Sequence, residues 1–140
     1  MLRRAACLTV LSTVLLASCA TSSMRSREKI LEDTLRSYAA TIRWGDMTQA
    51  LVFVDPKYRE AHPLSELDIA RYRQVQITAY NDQPATPVSD TEVRQIVEIG
   101  LVNVNTQTAR SIIDRQVWRY DDKQKRWWLT TGLPDITRHD

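Results

Sequence analysis

From residue 28 onward the apolar side chains Leu31, Leu35, Tyr38 and Ile42 recur at i, i+4, i+7 and i+11, with Ile30 and Ala39 widening the stripe. That spacing puts them on one face of a helix of about four turns. Gly45 after Trp44 reads as its stop, and Asp46 with Gln49 three residues on has the form of a capping box. The short helix so introduced carries Ala50, Leu51 and Phe53, and Asp55-Pro56 ends it. Over 57–71, Pro63 at a first helical position together with Leu64, Leu67 and Ile69 predicts a further turn or two. After Tyr72 the period changes to two. Val75, Ile77 and Ala79 alternate with Gln74, Gln76 and Thr78 as a half-buried strand, broken by Asn81-Asp82-Gln83-Pro84. A second strand is predicted over 91–104, a third over 108–120 after a tight Asn105-Thr106 connection, and a fourth over 126–131 after a turn at 121–125. Gly132-Leu133-Pro134 closes the pattern. Helices followed by a meander of long strands predict an α+β domain, with N-terminal helices packed on one face of a curved antiparallel sheet.

The start of the chain follows a different rule. Arg3 and Arg4 precede an apolar run from Ala5 to Ala17 broken only by small hydroxyls, and Leu16-Ala17-Ser18-Cys19 ends it. The run is shorter than the roughly 20 apolar residues needed to span a bilayer, so it reads as the core of a secretory signal. Because the pattern closes on a cysteine, it resembles the signal peptide and lipobox of bacterial lipoproteins. That resemblance implies cleavage before Cys19, a diacylglyceryl thioether on Cys19 and acylation of the new amino group, so that one partner is the membrane itself. Residues around Arg3-Arg4 lack the context of a twin-arginine signal, which favours ordinary Sec export. Ala20 stands where lipoproteins kept in the inner membrane commonly carry Asp; the resemblance therefore implies an outer-membrane anchor, facing the periplasm. The expected organisation is a signal peptide over 1–18, lipidated cysteine and short tether over 19–26, the domain over 27–133 and a polar tail over 134–140.

Charge and cysteine content change accordingly. The chain carries 19 Lys+Arg and 17 Asp+Glu. Arg3 and Arg4 leave with the signal, which brings the basic count to 17 as well and the formal charge to zero. A nucleic-acid partner is not expected from such a balance. The longest basic cluster, Lys123-Gln124-Lys125-Arg126, directly follows Asp121-Asp122 and reads as a solvated hairpin tip. Of the two cysteines, Cys7 is lost with the signal and Cys19 is used by lipid, so packing alone must hold the domain.

The segment from Tyr38 through Trp44-Gly45-Asp46, then Ala50 and Phe53, and later Val117-Trp118-Arg119-Tyr120 facing Arg126-Trp127-Trp128-Leu129, resembles the NTF2-like (SnoaL-like) cone fold over 27–133. The resemblance implies a cone whose mouth holds a small ligand, with Asp, His or Tyr inside it in the enzymes of the family. Ile96, Glu98, Gly100, Val102 and Val104 share one face of the second long strand; Ile112, Asp114, Gln116, Trp118 and Tyr120 share one face of the third. A carboxylate among apolar neighbours gains basicity, which nominates Glu98 or Asp114 as a general base, with Tyr120 or Tyr80 beside it. Equally, each carboxylate pairs with Arg94, Arg110 or Arg115, or faces solvent. Val93, Val97, Ile99 and Leu101 make the opposite face of the second strand apolar too, and the period leaves the buried face open.

Other chemistry finds little support. His62 lies in the irregular connection and His139 in the tail. No zinc-ligand spacing, Gly-x-Ser-x-Gly elbow or Gly-rich phosphate loop occurs, so neither metal nor cofactor is expected. Trp118, Trp127 and Trp128 either anchor a partner or form a structural cross-strand cluster, and Trp44 reads as a packing plug. The favoured expectation is a non-enzymatic binding or accessory domain of an envelope complex. The alternatives are a small-molecule enzyme with a carboxylate base in the cone, and a structural homodimerisation module.

Overall fold

The computed structural model describes residues 14–138, with side chains from Thr21 onward. Arg3, Arg4, Cys7, His139 and the side chain of Cys19 lie outside the described residues. Helix α1 runs over Val14–Trp44. Its expected stripe is the one it buries: Tyr38 and Ile42 are fully covered, and Ile30, Leu31 and Leu35 pack beside them. The opposite face is held by exposed i,i+3 and i,i+4 pairs, Glu32–Arg36 at 2.7 Å, Lys29–Asp33 at 3.1 Å and Asp33–Arg36 at 3.4 Å, each worth a few tenths of a kcal/mol at about 0.2–0.5. The tether expected over 19–26 is instead continuous with α1. Ala17 to Arg27 contains neither Gly nor Pro and several strong helix formers, so nothing in it interrupts a helix already nucleated by the domain. Among the described residues no helix is long and apolar enough to cross a membrane.

Gly45 ends α1 because a Cβ there would meet the Thr41 carbonyl oxygen at 2.8 Å, while its own N–H donates to that oxygen at 2.9 Å. Asp46 then caps a 3₁₀ helix, Met47–Phe53, accepting from the Thr48 N–H. Asp55-Pro56 both stops that segment and starts α2, Pro56–Ala61, with Pro56 in its first turn. Pro63 does not open a helix. Helix α3, Glu66–Arg73, begins instead at Ser65, which forms a reciprocal capping box with Asp68.

Five strands follow: β1 Val75–Asp82, β2 Thr86–Ser89, β3 Glu92–Asn103, β4 Ala109–Asp121 and β5 Arg126–Leu129. All neighbours are antiparallel in the order β1-β3-β4-β5, and β2 lies beside the start of β3 on the edge that β1 occupies farther along. The expected α+β arrangement is what forms: an N-terminal helix against a strongly curled antiparallel sheet, a half-barrel. Strand β2 escaped the sequence pattern because Pro84 and Pro87 flank and enter it, and Pro is tolerated only at such edges. The concave face takes Val93, Val97, Ile99 and Leu101 of β3 and Ile112, Trp118 and Tyr120 of β4, all buried against α1 and the 3₁₀ helix.

The tail expected over 134–140 is also structured as far as it is described. Pro134 and Ile136 are buried, Tyr72 donates to the Pro134 carbonyl at 3.2 Å, and Arg110 donates to the carbonyls of Ile136 and of Arg138. Strand β5 pairs only with Trp118 to Asp121, and the C-terminal segment is tied to the start of β4 through Arg110.

Candidate functional site

Register decides which side chains enter the cone. Directly opposed residues of an antiparallel pair share a face, so Val93↔Trp118, Gln95↔Gln116, Val97↔Asp114 and Ile99↔Ile112 line the concave side together. Asp114 is therefore inside, half-buried, and Glu98 is on the convex side, exposed and opposite Ile113 and Asn81. Of the two carboxylates nominated by the alternation, only Asp114 has the surroundings that a base in the cone requires.

A bulge in β1 completes the cluster. Ile77 pairs with Leu101 but Ala79 pairs with Gly100, leaving Thr78 as an extra residue. The phase shifts by one, and Tyr80, opposite Ile99, turns inward in place of Ala79. Gly100 permits this: a Cβ there would lie 2.9 Å from Thr78 Oγ1 and 3.1 Å from Ala79 Cβ. Gln116, 1% exposed, then ties the interior together. Its Nε2 donates to Asp114 Oδ2 at 2.8 Å and to the Tyr80 hydroxyl oxygen at 3.1 Å, and its Oε1 accepts from Trp118 Nε1 at 3.0 Å. Gln95 makes a second buried amide, donating to the Gln83 carbonyl at 2.9 Å. Gln116 was placed on this face by alternation but given no role, and Gln95 went unnoticed although it sits in phase with Val93, Val97, Ile99 and Leu101.

Electrostatically this interior favours uncharged forms. Burial pushes the Asp114 carboxyl up to about 6, against the Gln116 hydrogen bond and the Arg138 charge, which pull it down. Burial raises the Tyr38 hydroxyl well above its ordinary range, with Asp114, Tyr80 and Tyr72 adding to the effect; Tyr80 is also raised, and Tyr72 is pushed up to about 12. Tyr38 packs edge-on to Trp118 at 5.2 Å and to Phe53 at 5.6 Å, and its hydroxyl is buried without a hydrogen-bond partner. Chemically, the cluster is one carboxylate able to change protonation near neutrality, beside tyrosines that remain donors.

Tyr120 does not join it. It lies six residues farther along β4, about 20 Å at ~3.3 Å per residue, tilted against Trp127 with the Arg27 guanidinium 5.1 Å from its ring. The tryptophans nominated as a binding surface are packed as well. Trp118 is 0% and Trp127 2% exposed, and Trp127 Nε1 donates to the Arg27 carbonyl. Trp128 points to the other face, as its neighbour requires, yet the Arg126 guanidinium 3.7 Å over its ring covers it. The exposed tryptophan is the one read as a plug: Trp44, 78% accessible at the end of α1.

Trp44 stands at a cleft of about 440 Å³ between the ends of α1 and α3 and the start of β1, lined also by Arg43, Asp46, Met47, Tyr72, Arg73, Val75 and Gln76. Arg43 lies over the Trp44 ring at 4.8 Å. Among the described residues neither Arg43 nor Arg73 is ion-paired. Asp46 is engaged by the Thr48 N–H and hydroxyl, which hold its carboxyl below the usual range. A second cleft of about 380 Å³ lies between the helical connection and the C-terminal segment, with His62 on its rim stacked on Tyr58 at 4.3 Å. Asp114 lines neither cleft. Comparison with protein-family models and with curated proteins finds no match to this chain.

Proposed function

We propose that this chain is a lipid-anchored binding domain of the bacterial envelope, built on an NTF2-like cone and acting without catalysis. The signal is removed before Cys19, lipid on Cys19 holds the protein at the periplasmic face of the outer membrane, and a partner is engaged at the far end of α1. The observation that carries this reading is Trp44, left 78% exposed beside two unpaired arginines while the other three tryptophans are packed. Trp and Arg dominate the energetic centres of protein interfaces, and a large ring kept in water without a packing role is a cost that contact with a partner offsets. Placement agrees with it. Cys19 and Trp44 lie 25 positions apart on one helix, so anchor and contact surface are separated by about 38 Å at 1.5 Å per residue.

The test has two arms in cells. Metabolic labelling with a clickable palmitate analogue should mark the wild-type chain and not Cys19→Ala. A photo-crosslinking amino acid at position 44 should capture a defined protein that the same group at Ile96, on the convex face, does not. Equal capture from both positions removes the assignment of the surface, and labelling of Cys19→Ala removes the anchor. Recovery of the chain crosslinked to itself alone points to the homodimer.

A second reading is favoured by the interior. Asp114 as base and the unpartnered Tyr38 hydroxyl as donor suit proton transfer, and this reading requires the packed interior to open to a small molecule, since neither residue lines a cleft. Asp114→Asn and Tyr38→Phe, each folded and each abolishing a cellular phenotype that Trp44→Ala leaves intact, would establish it over the binding reading.

A further inference from the structure

The chemistry of the cleft at the end of α1 narrows its occupant, resting on the reading that this end is the contact surface. Its fixed charges are Arg43, Arg73 and Asp46, and the last is held by the cap of the 3₁₀ helix. Arg73 lies within electrostatic reach of Asp46 but outside ion-pair distance, so both guanidiniums keep their donors for another acceptor. Each arginine also sits in the last turn of its helix, where a cation is favourable in any case. That accounts for the charges and not for Trp44. The Arg43 guanidinium, 4.8 Å from the centre of the exposed indole, is held near the ring by a cation–π contact, and a guanidinium has the fork of N–H donors that meets a carboxylate in two parallel bonds.

One side of the cleft is the start of an edge strand. Val75, Gln76 and Ile77 line it from β1, which hydrogen-bonds to β3 on one side and carries no strand on the other among the described residues. A free strand edge takes up an extended chain through its main-chain groups, and a small solute makes no use of it. A volume of about 440 Å³ accommodates a few side chains. We infer that the cleft binds an extended acidic peptide segment of a protein partner, its carboxylates on Arg43 and Arg73 and an apolar side chain on Trp44.

The experiment uses the mature lipidated chain in detergent micelles, titrated with the peptide acetyl-Ala-Glu-Leu-Glu-Ala-amide, with its Glu→Gln counterpart, and with free glutamate. Binding is read from the Trp44 indole N–H signal by NMR. The expected result is a saturable shift at Trp44 with the acidic peptide, weakened about tenfold or more for the Gln peptide and for Arg43→Gln or Arg73→Gln, since a charged hydrogen bond is worth at least one decade. Arg94→Gln, on the convex face, should change nothing. Equal binding of the two peptides, or no shift at Trp44, overturns the proposal. Displacement by free glutamate at the peptide's own concentration also overturns it, leaving an anion site. A partner still captured by the crosslinker at position 44 after such a failure keeps the contact surface and removes only its acidic specificity; loss of both removes the two together.

Discussion

Trp118 and Trp44 sit on elements that pack against one another, and their surroundings are opposite. Trp118 is wholly enclosed, edge-on to Tyr38, with its N–H satisfied by a buried amide; Trp44 is 78% exposed with an arginine on its face. The first is bound into a network that includes Asp114, Gln116 and Tyr80, so that changing one member disturbs the rest. The second is free of the core, so that the same residue type is available for recognition without a structural cost. The contrast separates the two functional readings: chemistry, if present, resides with the enclosed group, and contact with a partner resides with the exposed one.

Four measurements would break or sharpen this contrast. Trp118→Ala should destabilise the domain by about 3–5 kcal/mol in chemical denaturation, the range for truncating a buried large aromatic; a loss no greater than that at Trp44 would end the distinction. Next in size is the pH dependence from Asp114. Its folded pKa of about 6 lies above the ordinary 3.8, so the folded state holds the proton more tightly. The associated stability is fully present below about pH 4 and is lost as pH rises through 6. At 1.36 kcal/mol per unit this is up to about 3 kcal/mol, reduced by the side chain's partial exposure. Asp114→Asn should therefore be more stable than wild type at pH 7 and flatten the stability profile between pH 4 and 6.5; an unchanged profile would show that the carboxylate is solvated. Tyr38→Phe removes an unpartnered buried hydroxyl and should stabilise by roughly 1 kcal/mol, whereas a loss of stability would reveal a hydrogen bond from Tyr38. Smallest is Trp44→Ala, expected to alter stability by less than about 0.5 kcal/mol while abolishing co-purification of the partner with the chain.

The two regions were unequally legible. Asp114 could be nominated from alternation because β4 has one clearly apolar phase, Ile112, Trp118 and Tyr120. Glu98 could not be dismissed because both faces of β3 are rich in apolar residues, and only its pairing with β4 shows that Val97 and Ile99 are the ones enclosed. Tyr80 enters the cone through a bulge, which no two-residue period reveals. The three tryptophans of β4 and β5 carried the same sequence signal as a binding surface, since hot spots and cores use the same side chains. Trp44 was misread for the complementary reason: it falls just past the stripe of α1, where period alone does not tell an end that packs from an end that projects.

By itself the sequence determined the helix-then-sheet order, the buried face of α1, the long strands β3 and β4 and the turn between β4 and β5, because periodicity and turn chemistry are local properties. It also carried Leu16-Ala17-Ser18-Cys19, a linear string that resembles a lipobox and on which the proposed anchor rests. Tertiary structure alone decided which face of β3 is enclosed, the inward turn of Tyr80, the docking of Pro134 and Ile136 beside β4, and the exposure of Trp44. Each of these depends on what a distant segment places opposite a residue, and burial is a property of that pairing rather than of the residue.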